Sequence, residues 1–593
     1  MILQSIGWPD RIEDRELFYH SEAAVELEPQ AAAFHLDSQP VRFDTYFNAF
    51  SLEKWRRHTW LENVALSLEV KGEVEIELLR HDTGDGAVAT PVRTERLRFD
   101  DYTAVTLDYP ACEGAAAVSF EARPLPGGAS LRKMAYVAAG EVPEAAEVNL
   151  ALAICTYKRE DFIAANMEVL RRGVFDNPAS PLRGHLRAYI SDNARSLEVS
   201  RFEGMPVKVF PNPNSGGSGG FSRAAIEALS DADYATTHVI LMDDDISFNA
   251  WALERNYTFL SLLRPGFADH LLGGSMLNAN HRHLLYTAGD ILTLERVTND
   301  HPDMDLRTLE NVLILAGDIP CDCFGWWYCC VPASVMRTRG YSMPFFFQFD
   351  DVEFSIRCKD LPRIMLNGLC CWHYPHERND ADTRYYYCYR NFSVTYSLYY
   401  QKYTADYMKQ KLKEDVMYLL FTFGFRRAEL MMRGAEDFLK GVDWLISQDT
   451  DALHREIIQA ADKIQPVSEL TVPFNPDTLK HKEDINQSRW RRYLRWITLN
   501  GWLLPARRSV TVVENYKPPM QYFFRAGTVV KYDVTGKTAL AVRRSHREAL
   551  SVLKHMRRTL KAIDRDFDRA AADYRARHDE ICSEAFWRQF LEF

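Results

Sequence analysis

Four apolar residues, Val239 to Met242, lead directly into three consecutive aspartates, Asp243 to Asp245. A continuous apolar run of this kind is typical of a strand buried on both faces of a parallel sheet. Open α/β sheets bind their ligands beyond the carboxyl ends of such strands. Carboxylates at that position suit Mg²⁺ or Mn²⁺, which proteins hold with one or two carboxylates and substrate phosphates. The alternative, from this motif alone, is an acidic turn on a solvated edge of the sheet.

The segments around this motif alternate between strand and helix patterns. Leu150 to Thr156 predicts a buried strand, Asp161 to Arg172 a helix, and Leu186 to Ile190 a second strand that ends at Ser191-Asp192-Asn193. Val207 to Phe210 predicts a third strand, which precedes a Gly/Ser-rich loop. This alternation predicts a doubly wound parallel sheet.

Three domains are predicted along the chain. Residues 1–147 alternate between apolar and polar side chains and contain turn signals, which predicts a β-sandwich. Residues 148–395 carry the α/β pattern. Residues 396–593 are mainly helical, with a small β-hairpin around Gln521 to Thr538.

Composition narrows the class of protein. The chain has 593 residues, of which 47% are hydrophobic, and a net charge of −11, which argues against a general nucleic-acid binder. No apolar stretch reaches the roughly 18 residues of a membrane-spanning helix, and Met1 to Asp14 lacks a signal-peptide pattern. These features predict a soluble cytoplasmic protein.

The eleven cysteines are scattered and include no C-x-x-C pair, which fits reduced thiols. A cluster of them would be either buried small apolar side chains or a zinc site, in which case the protein would be a zinc metalloenzyme. Its members are Cys321, Cys323, Cys329, Cys330, Cys370 and Cys371.

The loop from Asn212 to Gly220 is rich in glycine and serine and precedes a helix predicted to begin near Phe221. Backbone N–H groups at such a helix start favour a phosphate or a sugar. The sequence matches neither a Walker loop nor G-x-G-x-x-G, and a flexible linker is the alternative.

Downstream motifs combine aromatic, acidic and histidine side chains. Trp326 and Trp327 would form either part of the core or a flat wall for a sugar. Asp350 and Asp351 follow an apolar run, and a carboxylate beside an acceptor hydroxyl suits general-base catalysis. His373 is a candidate third metal ligand, although a lone histidine is more often structural.

In chain order these motifs resemble those of metal-dependent inverting glycosyltransferases with the GT-A fold, an α/β domain that binds nucleotide sugars. They are most similar to the polymerising galactofuranosyltransferases of mycobacterial cell-wall galactan. FDTYFNAF at 43–50 resembles that family's β-sandwich signature, and the stretch from Gln521 to Arg544 is also similar. Between them GGSGGFSR, LMDDDI, GWW, FDDVEF, WH and YRN occur in the family's order.

The resemblance implies a role for each site residue. Asp351 would be the general base, and Asp243, Asp245 and His373 would hold Mn²⁺ or Mg²⁺. Donor or nucleotide contacts would come from Thr156, Arg159, Asp192, Asn214, Gly216, Gly217, Ser218, Asp244 and Asp290. Acceptor contacts would come from Trp326, Trp327, Asp350 and His376.

The implied partners are UDP-galactofuranose and a lipid-linked galactan or another cell-envelope glycan, and the implied assembly is a homo-oligomer, a tetramer in the family. Two departures bear on this expectation. Gln348 replaces the family's lysine before the acid pair, and Phe221 replaces a tyrosine in the glycine loop. Another donor, such as UDP-galactopyranose or dTDP-rhamnose, and a glycan-binding scaffold with an inactive transferase domain are the alternatives.

The segment from Arg489 to Leu504 mixes arginines with indoles, a composition typical of helices at a membrane interface. A solvated helix packed by its aromatic side is the equal alternative. An anchor of this kind would place the protein on the inner face of the cytoplasmic membrane.

Overall fold

The computed structural model describes residues 1–22, 25–28, 33–82, 88–110, 112–295, 297–299, 301–374, 382–480, 488–515, 517–533 and 537–593. The chain divides into two compact units. Unit one comprises Met1–Pro213, Gly220–Tyr341 and Phe354–Tyr374, and unit two comprises Asn214–Gly219, Ser342–Glu353 and Pro375–Phe593. The predicted domain boundaries at residues 147/148 and 395/396 stay predictions.

The N-terminal part of unit one is an antiparallel sheet built on three long strands. Its elements are β1 (Ile2–Ser5), β2 (Glu26–Glu28), β3 (Ala33–Leu36), β4 (Val41–Arg42), α1 (Leu52–His58), β5 (Asn63–His81), β6 (Ala89–Asp108) and β7 (Ala117–Ala139). The strand order is β2-β3-β7-β5-β6, and β1 and β4 also pair with β7. Because β7 pairs with four other strands, hydrogen bonds join all seven strands into one sheet. The sequence predicted a sandwich of two sheets for this region.

The second sheet of unit one is mixed. Its strands and the helices around them are β8 (Leu150–Thr156), α2 (Glu160–Leu170), β9 (Leu186–Asp192), β10 (Val207–Pro211), α3 (Gly216–Ser230), β11 (His238–Asp243), α4 (Ala250–Ser261), β12 (Leu271–Asn278), β13 (Leu285–Thr287), β14 (Asp290–Leu292), β15 (Val297–Asn299), α5 (Leu309–Ala316), β16 (Cys329–Pro332), α6 (Ala333–Arg339), α7 (Asp350–Arg357) and β17 (Arg363–His373). The order is β10-β9-β8-β11-β16-β12-β13, with β17 beside β12, while β14 and β15 form a separate pair.

The predicted parallel arrangement holds for β8 to β11 and for β17 with β12, and it fails at β16 and β13. Strands β8, β9, β10 and β11 pair in parallel, but β16 pairs antiparallel with both β11 and β12. The alternation of strand and helix patterns that predicts parallel pairing covers β8 to β11, and β16 lies beyond it, after the Gly325-Trp326-Trp327 turn.

The two sheets of unit one share one hydrophobic core. Phe47 and Trp55, from the N-terminal region, contact Trp251 and Phe259 of α4 with ring centroids 5.1 and 5.0 Å apart. Arg255, also on α4, is buried and donates to the carbonyls of Phe47 (2.8 Å) and Asn367. These contacts make the N-terminal β region and the second sheet a single packed body.

The clustered cysteines are free thiols. Cys323, Cys329, Cys330, Cys370 and Cys371 are buried, and Cys321 is partly exposed. Burial raises the pKa of Cys330 and Cys370 to about 12, which favours the neutral thiol over the thiolate that binds zinc. Within the described residues these cysteines do not form a metal-ligating group.

Unit two is mainly helical, as predicted for this part of the chain. Its elements are α8 (Thr383–Tyr399), α9 (Ala405–Phe421), α10 (Phe425–Phe438), α11 (Val442–Ser447), α12 (Thr450–Ala460), β18 (Gln465–Pro466), α13 (Arg489–Ile497), β19 (Arg507–Glu514), β20 (Ala526–Asp533), β21 (Thr538–Arg543), α14 (His546–Ile581) and α15 (Glu584–Phe590). The predicted hairpin is β20 with β21, and it belongs to a sheet of order β18-β21-β20-β19. Among the described residues, the helices are all too short or too polar to cross a lipid bilayer.

Candidate active site

The aspartate motif lies at the carboxyl ends of adjacent parallel strands. Strand β11 ends at Asp243, which pairs with Cys155 of β8. The hydroxyl of Thr156, the last residue of β8, donates to Asp244 Oδ2 at 2.7 Å. Burial raises the pKa of Asp244 to about 6 despite this hydrogen bond. Asp244 therefore accepts a hydrogen bond from the end of the neighbouring strand, and its contact with the nucleotide-sugar donor stays a prediction.

Asp245 connects the motif to a histidine and an arginine. His373, the last residue of β17, has its Nε2 2.9 Å from Asp245 Oδ1, and Arg159, which precedes α2, lies 3.3 Å from Asp245 Oδ2. Burial alone would lower the pKa of His373, but the hydrogen bond to Asp245 and the charge of Asp243 raise it above the ordinary value. Asp243, Asp245 and His373, which were predicted to act together, therefore interact.

The second nitrogen of His373 is fixed by the backbone. Its Nδ1 lies 2.7 Å from the carbonyl oxygen of Tyr374, which can only accept a hydrogen bond. Nδ1 must therefore carry a hydrogen, and the lone pair of a neutral ring lies on Nε2, the atom that faces Asp245. Metal-binding histidines are commonly oriented by a carbonyl in this way. Two carboxylates and this imidazole nitrogen fit a divalent metal with mixed oxygen and nitrogen ligands.

Two other residues that were predicted to bind the nucleotide-sugar donor make hydrogen bonds within unit one. The carboxylate of Asp192 accepts three backbone N–H groups, from Ala194 (3.0 Å), Ser196 (2.7 Å) and Leu197 (2.8 Å), and so shapes the loop after β9. Asp290 accepts the hydroxyl of Thr287 at 3.0 Å, and burial raises its pKa. Contacts of either residue with a nucleotide or a sugar stay predictions.

The two tryptophans differ in hydrogen bonding. Trp327 donates its Nε1 to the carbonyl of Gly274 at 3.0 Å, which is the behaviour of a core residue. The Nε1 of Trp326 is buried and has no acceptor among the described residues. Its ring packs edge-on against Phe221 and Phe354, at 5.3 and 5.9 Å. Because an unsatisfied buried donor is costly, Trp326 is the better candidate for a ligand contact.

In unit two, the glycine loop is part of a helix. Helix α3 begins at Gly216, five residues before its predicted start at Phe221, so Gly216, Gly217 and Ser218 form its first turn. Gly216 has a φ of 65°, and a Cβ there would lie 1.8 Å from the carbonyl oxygen of Phe346. Close packing, rather than flexibility, therefore explains the glycine at this position.

The residues before and within this turn are also held in place. Asn214 donates its Nδ2 to Asp451 at 2.9 Å, and its carbonyl accepts the hydroxyl of Thr450 at 2.9 Å. Ser218 donates its hydroxyl to Asp350 Oδ2 at 3.4 Å. The alternative of a flexible linker does not fit these contacts, and the turn lies directly beside one member of the acid pair.

The acid pair begins α7 and follows a loop with unusual backbone angles. Phe346, Gln348 and Phe349 have φ values of 71°, 69° and 72°, in the left-handed region that glycine favours. Burial raises the pKa of Asp350 to about 6, and Asp351 Oδ1 accepts the backbone N–H of Val352 at 2.7 Å. Three strained residues within four positions require strong support from their surroundings.

That support comes from two residues of α8 that sequence reasoning did not assign to the site. Asn391 donates its Nδ2 to the carbonyls of Phe347 (2.9 Å) and Gln348 (2.8 Å). Arg390 donates to the carbonyl of Phe345 at 2.5 Å. Both belong to the YRN motif, which drew attention only through the family resemblance. The remaining predicted residue, His376, lies outside the described residues.

The Gly216→Ala variant should lower the free energy of unfolding by about 1 kcal/mol or more, because alanine disfavours this φ and its Cβ would overlap the Phe346 carbonyl. Chemical denaturation measures the change. Gly266→Ala is the matched control, since Gly266 is exposed with open space around its Cβ position. Equal losses in the two variants would contradict the close packing of Gly216.

Comparison with known proteins adds a family match to this geometry. Residues 17–114 match the family model described as Galactofuranosyltransferase 2 N-terminal. Galactofuranosyltransferase GlfT2 of Mycolicibacterium smegmatis is 26% identical over 443 residues, which are 69% of this chain and 65% of that protein. Galactofuranosyltransferase GlfT2 of Mycobacterium tuberculosis is 26% identical over 442 residues, 69% and 66% of the two chains. The matched region therefore spans slightly less than two thirds of the length of these curated relatives.

Among solved structures, the mannosyltransferase PcManGT from Pyrobaculum calidifontis, in complex with GDP-Man and Mn²⁺, matches 54% of this chain and 86% of its own. Its sequence identity is 12% and its TM-score 0.26, a score too low to support an inference about fold or function. The family model and the two sequence relatives agree with each other. By sequence, the chain is similar to the GlfT2 galactofuranosyltransferases over the matched region.

Proposed function

We propose that this protein is a metal-dependent inverting glycosyltransferase that moves galactofuranose from UDP-galactofuranose to a hydroxyl of a growing cell-envelope glycan. The observation that carries the proposal is the Asp243–Asp245–His373 set at the strand ends, with Arg159 beside it, in a chain related to GlfT2. Carboxylates and an imidazole next to a guanidinium suit a nucleotide diphosphate with its metal.

The donor half of the site would work through charge. When bound, Mn²⁺ or Mg²⁺ would neutralise charge that develops on the departing UDP. Asp243, Asp245 and His373 would hold the metal, and the Tyr374 carbonyl would keep the His373 ring in the tautomer that leaves Nε2 available. Arg159 would bind a phosphate oxygen, since a guanidinium pairs well with phosphate.

The acceptor half would work through a proton transfer. The acceptor oxygen attacks the anomeric carbon of galactofuranose as the bond from that carbon to UDP breaks, and UDP leaves with the electron pair. The carboxylate of Asp351 takes the proton of the attacking hydroxyl. Asp350 and Trp326 would bind hydroxyls of the acceptor glycan. Asp350 would accept a hydrogen bond from one, and Trp326 would donate one from its buried N–H.

The acceptor is proposed to be lipid-linked, which would bring the enzyme to the inner face of the cytoplasmic membrane. Helix α13 supports this proposal, because Trp490 and Trp496 are 67% and 76% exposed and its arginines form a basic surface. Exposed indoles beside cations are typical of helices that bind anionic lipid surfaces. Assembly into a homo-oligomer is proposed from the resemblance alone.

The function is tested by turnover of UDP-galactofuranose with Mn²⁺ and a short galactofuranosyl-lipid acceptor, with UDP release and acceptor elongation both measured. Wild type should elongate the acceptor, and Asp351→Asn should lose about 10²–10⁴-fold in kcat because the proton has no base to receive it. Asp477→Asn, an exposed acid on the same unit, is the control. Turnover of UDP-galactopyranose or dTDP-rhamnose instead would contradict the proposed donor. If the protein turned over no sugar nucleotide, the proposal that it is a glycosyltransferase would be wrong.

The acidic limb of the pH profile should report Asp350. Burial raises its pKa to about 6, so the carboxylate that binds the acceptor is present above that pH and is lost as the pH falls through it. The KM for the acceptor should therefore rise below about pH 6 in the wild type. In Asp350→Asn the KM should already be high and should no longer change across that range. A variant that keeps the wild-type pH dependence would exclude this role.

Membrane binding is tested by sedimentation with vesicles rich in anionic lipid. Wild type should sediment at low salt and return to the supernatant at high salt, because the attraction is electrostatic. Replacing Trp490 and Trp496 with alanine should reduce the bound fraction, whereas replacing the exposed Ile12 should not. Wild type that stays in the supernatant at low salt would exclude the anchor.

A further inference from the structure

Unit two contains a cluster of metal-ligating side chains away from the aspartate motif. Glu353, His578 and Cys582 each offer a ligand atom, and these atoms all lie within 4.8 Å of one another. His578 Nε2 lies 2.9 Å from Glu353 Oε1 and 3.8 Å from Cys582 Sγ. The sequence alone does not indicate a metal site at His578 or Cys582, because both lie near the end of a long polar helix.

The spacing of these atoms is close to that of a tetrahedral zinc site. With zinc bonds of about 2.0–2.1 Å to nitrogen and oxygen and about 2.3 Å to sulfur, the edges of a tetrahedron are roughly 3.3–3.6 Å. The observed separations of 2.9 and 3.8 Å lie on either side of that range. Small rotations of the Glu353 and Cys582 side chains would therefore bring the three atoms to coordinating positions.

The local sequence and burial also favour a site. His578 and Cys582 are four residues apart at the end of α14, so they project from the same face of the helix. Glu353 is fully buried, and Cys582 is 1% exposed. The hydroxyl of Tyr399 donates to Glu353 Oε1 at 2.5 Å and lies 3.1 Å from His578 Nε2, where it can orient the carboxylate or supply a fourth oxygen ligand.

Binding of zinc to this cluster leaves its net charge unchanged. With Glu353 ionised, His578 protonated and Cys582 as the thiol, the three groups carry no net charge. Zinc bound to the carboxylate, the neutral imidazole and the thiolate also gives no net charge, since the ion displaces one proton from His578 and one from Cys582. A buried site that is neutral in both states avoids the cost of an uncompensated internal charge.

We propose that Glu353, His578 and Cys582 form a structural site for Zn²⁺. The ion would join the end of α14 to Glu353 of α7. Glu353 lies three residues after Asp350 and two after Asp351. The ion would thus hold the first turn of α7, while Arg390 and Asn391 hold the loop that precedes it. The site does not depend on the proposed function, because its ligands bind metal whichever sugar nucleotide the protein uses.

The test uses the full-length chain, stripped with a chelator and reconstituted with Co²⁺ or Zn²⁺ alone. Cobalt bound to a thiolate gives a sulfur-to-metal charge-transfer band in the near ultraviolet, which carboxylates and imidazole do not give. We expect this band in the wild type and in Cys112→Ser, a buried cysteine of unit one. It should disappear in Cys582→Ser, and His578→Gln should bind Zn²⁺ more than about tenfold more weakly, since even loss of a ligand's outer partner costs about 10–100-fold.

A second measurement needs no variant and so does not depend on the folding of one. In the stripped wild type, Zn²⁺ should slow alkylation of Cys582, detected by mass spectrometry, while the rate at the partly exposed Cys321 should stay unchanged. No charge-transfer band in the wild type, a band that persists in Cys582→Ser, or equal protection of both cysteines would each overturn the site.

Discussion

The hydrogen bond between Asp245 and His373 joins two strand ends that are 128 residues apart in the chain. Asp245 is partly buried and His373 is buried. The carboxylate requires a positive or hydrogen-bonding neighbour. Against the effect of burial, the hydrogen bond to Asp245 and the charge of Asp243 raise the pKa of His373, which favours its protonated ring. Strands β11 and β17 are separated in the sheet by β16 and β12, and the segment after β11 also bridges directly to β17, where Ser247 and Trp372 exchange two backbone hydrogen bonds of 2.9 and 2.8 Å. The mixed part of the second sheet and this backbone bridge together bring the metal-binding candidates into contact.

The strands with a continuous apolar pattern could be predicted from the sequence, because burial on both faces leaves little choice of residue type. Leu150 to Thr156 is a strand with the bounds that its pattern indicates, and the aspartate motif follows β11 as expected. The start of α3 could not be predicted in this way. Glycines and serines have weak helix propensity, and only the approach of the Phe346 backbone, 130 residues further on, explains why Gly216 is the residue that fits.

The supporting residues were harder to predict than the reactive ones. Asp350 and Asp351 attract attention because acids after an apolar run are unusual, whereas Arg390 and Asn391 lie within a largely buried helix whose sequence pattern does not distinguish them from core residues. Arg390 and Asn391 donate to backbone carbonyls of the loop before α7. A sequence pattern does not show which carbonyls lack partners in a helix or a sheet. The N-terminal sheet is similar: its alternation predicts strands, but the sharing of one core through Arg255 is a property of the folded body.

The left-handed loop also has a consequence for the order in which the protein matures. Phe346 stacks on Tyr387 with centroids 5.6 Å apart, and Phe349 packs edge-on against Phe392 at 5.9 Å. The rings of Tyr387 and Phe392 and the side chains of Arg390 and Asn391 all belong to α8. The ribosome produces this helix some forty residues after the loop. Until that helix has emerged, the loop lacks the partners that offset its strain, and Asp350 and Asp351 lack a fixed position. A nascent chain would therefore complete its donor-side strands first and acquire an ordered acid pair only late in synthesis.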